Sequence, residues 1–210
     1  MARNLGAIAG GALVLAITGF GAMQWLGGAH APSALFDPAA TVGGPFALTD
    51  EEGGVVTEAT WRGRFVLLYF GYRYCPDVCP TELAKMVEAY ELLPALAQAQ
   101  IVMAFATVDP ERDDAPALRD YTDLFHPALI GLTGTQTQTD AATRAFRVYH
   151  RRVTQGRDAD SYLLDHSSFT YLLGPDGRTR QVFPATITAE AMAADLARQI
   201  GPALAERRLP

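Results

Sequence analysis

A chain of 210 residues with a formal net charge of −6 is long enough to bury one sizeable core. It has no Lys/Arg-rich block or basic helix face, which argues against nucleic acid as a partner. Hydrophobic residues make up 49% of the chain, at the upper end of the range for soluble domains, and the surplus lies at the start. The mild acidity disfavours an anionic lipid surface, so any tie to a membrane is hydrophobic.

Leu5 to Leu26 contains no charged side chain. As a helix this run would extend roughly 33 Å, enough to cross a bilayer core. Trp25 stands at its far end, where an interfacial aromatic is favoured. Arg3 precedes the run and no Lys or Arg follows until Arg62, which puts the N-terminus in the cytoplasm and the rest outside. Residues 1–27 are therefore expected to be a transmembrane anchor. Residues 28–41, rich in Gly, Ala and Pro, are expected to be a linker. The alternative is a cleaved signal peptide, with Ala29-His30-Ala31 as a small-x-small site; the length of the run and Pro32 just after the cut argue against it. The GxxxG formed by Gly6 and Gly10 carries little weight in so glycine-rich a segment.

The following elements are expected in a domain over residues 42–203, with a tail over 204–210. Phe46-Ala47-Leu48-Thr49 is a short strand ending in an acidic turn. Phe65 to Phe70 is a continuous apolar run, as in a strand buried on both faces. Pro80 to about Ala97 follows as a helix, then Ile101 to Val108 as a second buried strand. Ala115 to Phe125 is helical, Leu129 to Leu132 a strand, and Asp140 to about Tyr149 a helix with an acidic cap. Ser168 to Leu173 and Arg178 to Phe183 form a hairpin about Gly174-Pro175-Asp176-Gly177. Thr188 to about Ile200 closes the chain as an amphipathic helix. This β-β-α-β-α-β-α-β-β-α order implies an α/β domain with a central sheet flanked by helices. The closing β-β-α and the cysteines after the first buried strand make it thioredoxin-like.

The two cysteines, Cys75 and Cys79, are too close to staple a fold, because they would close only a short loop. Pro80 suits the first turn of a helix, where its missing N–H costs nothing. Both sulfurs then lie near the positive end of a helix, which favours thiolate, and Arg73 is expected to add to that field. The pair can hold a soft metal or cycle between dithiol and disulfide. Dedicated exchangers use Cys-x-x-Cys, and one residue more suits a metal held with a third ligand.

Of the four histidines, His30 lies in the linker, His126 in a loop before Pro127, and His150 beside Arg151 and Arg152, where solvent is expected. His166 differs. It precedes the strand Ser168–Leu173, and in a thioredoxin-like fold the loop entering that strand faces the cysteine turn. Two thiolates and one imidazole suit Cu(I) and can hold Cu(II). Zinc would ask for a fourth ligand. Asp165 or Asp109 is expected to orient the imidazole through its other nitrogen.

Gly71-Tyr72-Arg73-Tyr74-Cys75-Pro76-Asp77-Val78-Cys79-Pro80, Val108-Asp109-Pro110-Glu111-Arg112-Asp113 and Leu164-Asp165-His166-Ser167 through Gly177 resemble the Sco/SenC family of copper-binding proteins. Phe125-His126-Pro127 and Gly131-Leu132-Thr133-Gly134 look similar too. His150 stands where an aromatic is more usual. The resemblance implies a copper metallochaperone that delivers its ion to the copper centre on subunit II of cytochrome c oxidase and also reduces target cysteines. Cys75, Cys79 and His166 would be the ligands, and an upstream copper donor and a thiol reductant would act as further partners. In a bacterium the domain would lie in the periplasm, anchored in the inner membrane. The alternatives are an exported thiol–disulfide oxidoreductase with no dedicated copper role, and a thiol peroxidase using Cys75 with Cys79 as resolving thiol.

Overall fold

The computed structural model describes residues 42–154 and 162–206. The expected anchor, the linker with His30, and residues 207–210 of the tail lie outside the described residues. Nine strands are present among the described residues. They are β1 (Ala47–Asp50), β2 (Val55–Thr57), β3 (Phe65–Gly71), β4 (Ile101–Thr107), β5 (Leu129–Thr133), β6 (His150–Thr154), β7 (Tyr162–His166), β8 (Phe169–Leu173) and β9 (Thr179–Pro184). The helices are α1 (Val78–Glu91), α2 (Ala95–Gln98), α3 (Ala115–Thr122), α4 (Gln136–Ala145) and α5 (Ala189–Glu206).

Seven strands form one sheet in the order β2-β1-β5-β4-β3-β8-β9. The central strands β3, β4 and β5 run parallel, and every other neighbour is antiparallel. Every residue of β3 (FVLLYFG) and β4 (IVMAFAT) is buried. Apolar side chains on both faces of a strand need cover on both faces, which the crossover helices of a parallel sheet supply. The result is the mixed α/β, thioredoxin-like architecture expected from the order of elements. The cysteine turn leaves the carboxyl end of β3, which lies next to the central strand β4.

Several helix boundaries differ from those expected, the helix from Ala115 ending at Thr122 among them. The helix expected from Pro80 to Ala97 is two helices. The chain leaves α1 at Glu91, because Pro94 has no N–H to donate and its ring disfavours helical conformation in the residue before it. The helix expected from Asp140 begins at Gln136 instead. Thr135 and Gln138 form a capping box, each side chain accepting from the other's backbone N–H, and two satisfied donors outweigh the acidic residue further on. It stops at Ala145, just before Arg147 takes a positive φ of 54°. The last helix runs to Glu206, past the expected domain end at 203. The cap on α3 is as expected: Asp114 accepts from the Ala117 N–H at 2.9 Å, with Pro116 in the first turn.

Strands β6 and β7 were not anticipated and form a separate hairpin. His150 pairs with His166, Arg152 with Leu164, and Thr154 with Tyr162, so these side chains share one face. The hairpin is tied down through that face. The Tyr72 hydroxyl accepts from Leu164 N–H at 3.1 Å, and the Tyr162 hydroxyl donates to Asp109 at 2.8 Å. The Arg112 guanidinium stacks over the Tyr162 ring at 3.6 Å and donates to the Tyr162 carbonyl. Among the described residues, no helix is long and apolar enough to cross a membrane.

Candidate metal centre

Cys75 lies in the turn between β3 and α1, and Cys79 in the first turn of α1. The Cys75 N–H donates to the Tyr72 carbonyl at 3.2 Å. The Cys79 N–H, one of the free donors at the helix start, points at Cys75 Sγ from 3.4 Å. Cys75 is 8% exposed and Cys79 fully buried, and the two cysteines are not bonded to each other.

The sulfurs are not equivalent. Hydrogen bonding from the Cys79 side chain is the largest influence holding the Cys75 thiol down to about 3, with the N–H groups of Asp77 and Cys79 adding to it against the opposing effect of burial. Burial pushes the Cys79 thiol up, and the neighbouring Cys75 pushes it further. The neighbouring sulfur, more than the helix end, thus favours the thiolate at Cys75 and disfavours it at Cys79, where the sequence suggested two alike. Cys79 holds its proton more tightly, and a cation bound between the sulfurs would displace it. The Arg73 guanidinium is engaged by other partners. Its guanidinium lies 3.7 Å from Asp113 and donates to the Arg112 carbonyl and the Tyr74 hydroxyl.

His166 ends β7 and places Nε2 3.1 Å from Cys79 Sγ. Its Nδ1 is 3.0 Å from the Ser167 carbonyl. A carbonyl only accepts, so the proton sits on Nδ1, and the Nε2 lone pair faces the sulfurs. The rings of Tyr72 and Tyr69 meet the imidazole edge-on, with centroids 5.7 and 6.3 Å away. The expected carboxylate contact is absent: Asp165 pairs with Arg151 at 3.0 Å, and Asp109 with Arg112 at 2.6 Å and Tyr162. A backbone carbonyl orients the ring instead.

The ligand atoms of Cys75, Cys79 and His166 all lie within 4.8 Å of one another, the one such cluster among the described residues. Two sulfurs and an imidazole form a soft, low-coordinate set that fits copper better than zinc, since no fourth His, Cys, Asp or Glu joins it. The other described histidines lie apart. His126 accepts from Ala128 N–H at 2.9 Å and packs edge-on against Tyr90. His150 is half-buried, not solvated as expected. Its ring turns toward Thr143, with Nε2 3.4 Å from the hydroxyl.

Three residues of the site escaped the sequence reading. A Cβ on Gly71 would lie 2.7 Å from Cys79 Sγ and 2.9 Å from Phe105, so the glycine leaves room for the sulfur. Tyr69 and Tyr72 flank the imidazole. The available signal was a tyrosine inside the otherwise apolar FVLLYFG, followed by a glycine where the strand ends.

Fold and site together define a thioredoxin-like domain whose cysteine pair is extended by a histidine into a metal-donor set. The chain belongs to the SCO1/SenC family, whose model matches residues 36–201. It is 39% identical over 156 residues to a SCO2-like protein of Rickettsia prowazekii, covering 74% of this chain and 76% of the relative. It is 38% identical to the human mitochondrial SCO1 homolog, over 77% of this chain but 54% of that longer protein. Among solved structures, copper-bound ScoI of Bradyrhizobium japonicum is 38% identical with a TM-score of 0.69, covering 75% of this chain and 99% of the other.

Proposed function

We propose that this protein is a copper chaperone that binds one copper ion through Cys75, Cys79 and His166 and passes it to the copper centre on subunit II of cytochrome c oxidase. The observation that carries the reading is the convergence of three soft donors, from segments 87 residues apart, at one place in the fold. Family membership and the copper-bound relative support it. The set suits Cu(I) and tolerates Cu(II). Three-coordination leaves the ion open to an incoming thiolate, so transfer proceeds by ligand exchange. Residues 1–27 anchor the protein in a bacterial inner membrane with its N-terminus cytoplasmic. The linker over 28–41 then holds the domain, 42–203, in the periplasm. An upstream copper donor loads the site.

The unequal sulfurs favour a second, joint role in thiol exchange. The Cys75 thiolate attacks a target disulfide and displaces one target thiolate. Cys79 then loses its proton and attacks Cys75 Sγ, freeing the second target thiolate. Two electrons pass to the target, the chain ends with a Cys75–Cys79 disulfide, and an external dithiol must regenerate it.

Anaerobic titration of the reduced full chain in detergent with Cu(I), against a chromophoric competitor, tests the primary role. One ion per chain is expected, with affinity falling at least tenfold, about 1.4 kcal/mol, in His166→Ala. Equal affinity in wild type and variant would leave thiol exchange as the function.

A further inference from the structure

Arg112 meets both halves of the site. Toward the cysteine turn, its guanidinium carbon stands 4.6 Å from the centre of the Tyr74 ring, next to Cys75 in the chain. Toward the hairpin, it stands 3.6 Å from the centre of the Tyr162 ring, at the start of β7. Arg73 covers Tyr74 at 4.5 Å, and Arg152 covers Tyr162 at 3.8 Å. Guanidinium and ring thus alternate along one run: Arg73, Tyr74, Arg112, Tyr162, Arg152. The segment from Asp109 to Asp113 supplies a carboxylate to each cation of the run, Asp113 to Arg73, Asp109 to Arg112 and Glu111 to Arg152.

Arg112 donates from Nε to Asp109 and from Nη1 to the Tyr162 carbonyl. Its Nη2 is buried and has no acceptor among the described residues. A buried donor left unpaired costs free energy, so the guanidinium is placed to meet the two rings rather than to satisfy every nitrogen. A lysine would keep the charge and lose the flat face and the fork. Tyr162, Leu164 and His166 alternate along β7 and so share the face through which the hairpin is tied down. Fixing Tyr162 therefore fixes the strand that ends in His166. Tyr74 and Cys75 lie outside any helix or strand, whereas Cys79 is held in α1. Cys75 is thus the sulfur whose place depends on its neighbours.

We infer that Arg112 is a positioning residue that sets the distance between Cys75 and His166, and so decides whether a bound ion keeps its imidazole. The inference deepens the copper reading above and rests on it for the copper measurements alone. Two thiolates by themselves form a soft pair that holds Cu(I), whereas Cu(II) relies more on the imidazole. Loosening the hairpin or the cysteine turn therefore costs Cu(II) more than Cu(I).

The test uses the full chain in detergent, as wild type, Arg112→Lys, Tyr74→Leu and Tyr74→Phe. Tyr74 is 49% exposed, so its variants keep the fold and decide the matter should Arg112→Lys not fold. Without copper, amide hydrogen exchange is expected to be faster at Leu164 in Arg112→Lys, where the N–H is bonded to the Tyr72 hydroxyl. In Tyr74→Leu it is expected to be faster at Cys75, whose N–H is bonded to the Tyr72 carbonyl. With copper, affinities of the reduced protein for Cu(I) and Cu(II) are measured against chromophoric competitors. Cu(II) affinity is expected to fall about tenfold or more in Arg112→Lys and Tyr74→Leu, with a smaller loss for Cu(I) and a weaker imidazole-nitrogen pattern in the Cu(II) paramagnetic resonance spectrum. Tyr74→Phe, which keeps the ring, is expected to match wild type. Unchanged exchange, affinities that hold or fall equally for the two ions, or a Tyr74→Phe that behaves as Tyr74→Leu overturns the inference. Faster exchange with no copper bound by any of the proteins supports the positioning role and sinks the copper reading instead.

Discussion

Gly71 and Cys79 share one space: a Cβ on the glycine would lie 2.7 Å from the cysteine sulfur. Phe105 closes the other side at 2.9 Å, so neither neighbour can retreat far in a core packed at crystal-like density. Gly71→Ala is therefore expected to destabilise the domain by ~1–3 kcal/mol and to weaken metal binding by moving Cys79. Urea unfolding together with a Cu(I) titration checks both effects. Wild-type values in both would mean that the sulfur has freedom the packing denies.

Tyr72 ties the hairpin to the sheet through one hydrogen bond, accepted from Leu164 N–H. Tyr72→Phe keeps the ring beside His166 but leaves a buried amide without its acceptor. A loss of ~1–3 kcal/mol is expected, with faster hydrogen exchange at the Leu164 amide. Unaltered exchange there would show that the hairpin is held by its other contacts alone.

The two sulfurs should titrate apart. With the Cys75 thiol held down to about 3, its alkylation by iodoacetamide in the metal-free protein should have levelled off by about pH 5 and decline only as the pH falls through about 3. Cys79, whose thiol burial pushes upward, should react slowly throughout. Peptide mapping after timed alkylation separates the two. A Cys75 rate that keeps climbing through pH 8 would contradict the assignment of the thiolate.

Asp113 is fully buried, accepting from the Thr107 hydroxyl at 2.7 Å and the Arg73 N–H at 3.0 Å. Burial is the main cause raising its carboxyl above the usual 3.8, against those hydrogen bonds. A carboxyl raised in the fold binds its proton more tightly there than in the unfolded chain. Its contribution to stability is full below 3.8 and is lost as the pH climbs through the higher folded value. In Asp113→Asn that loss disappears. The stability of the variant relative to wild type should therefore rise between pH 4 and 7, as read from urea midpoints at several pH values. A pH-independent difference would exclude the linkage.

The buried strands, the hairpin about Gly174–Gly177 and the cysteine turn were legible because each is written in adjacent residues. Phe65–Gly71 announces a strand covered on both faces, and Pro80 a helix start. The β6–β7 hairpin was not legible. His150-Arg151-Arg152 looks like a solvated loop, and its order comes from partners far away in the chain, Tyr72, Asp109 and Arg112. The helix from Gln136 was misplaced because Asp140 is a good cap in isolation, and the capping box of Thr135 and Gln138, which begins five residues earlier, is better. The three donors could be named from sequence, but not the support around them. The carbonyl that orients His166 belongs to Ser167, and a backbone group leaves no trace in residue identity.

The bond between Cys79 and His166 spans 87 residues, and it joins the central sheet to a hairpin that stands outside it. An ion held by both ends is a removable cross-link over that whole stretch, and closing a loop of such length restricts the unfolded chain considerably. The hairpin does not depend on that link, because the Tyr72 and Tyr162 hydroxyls and the Arg112 guanidinium already hold it. Such an ion would add to the stability of the fold while leaving its shape unchanged, so an empty protein would keep the three donors together and stand ready to take up another ion.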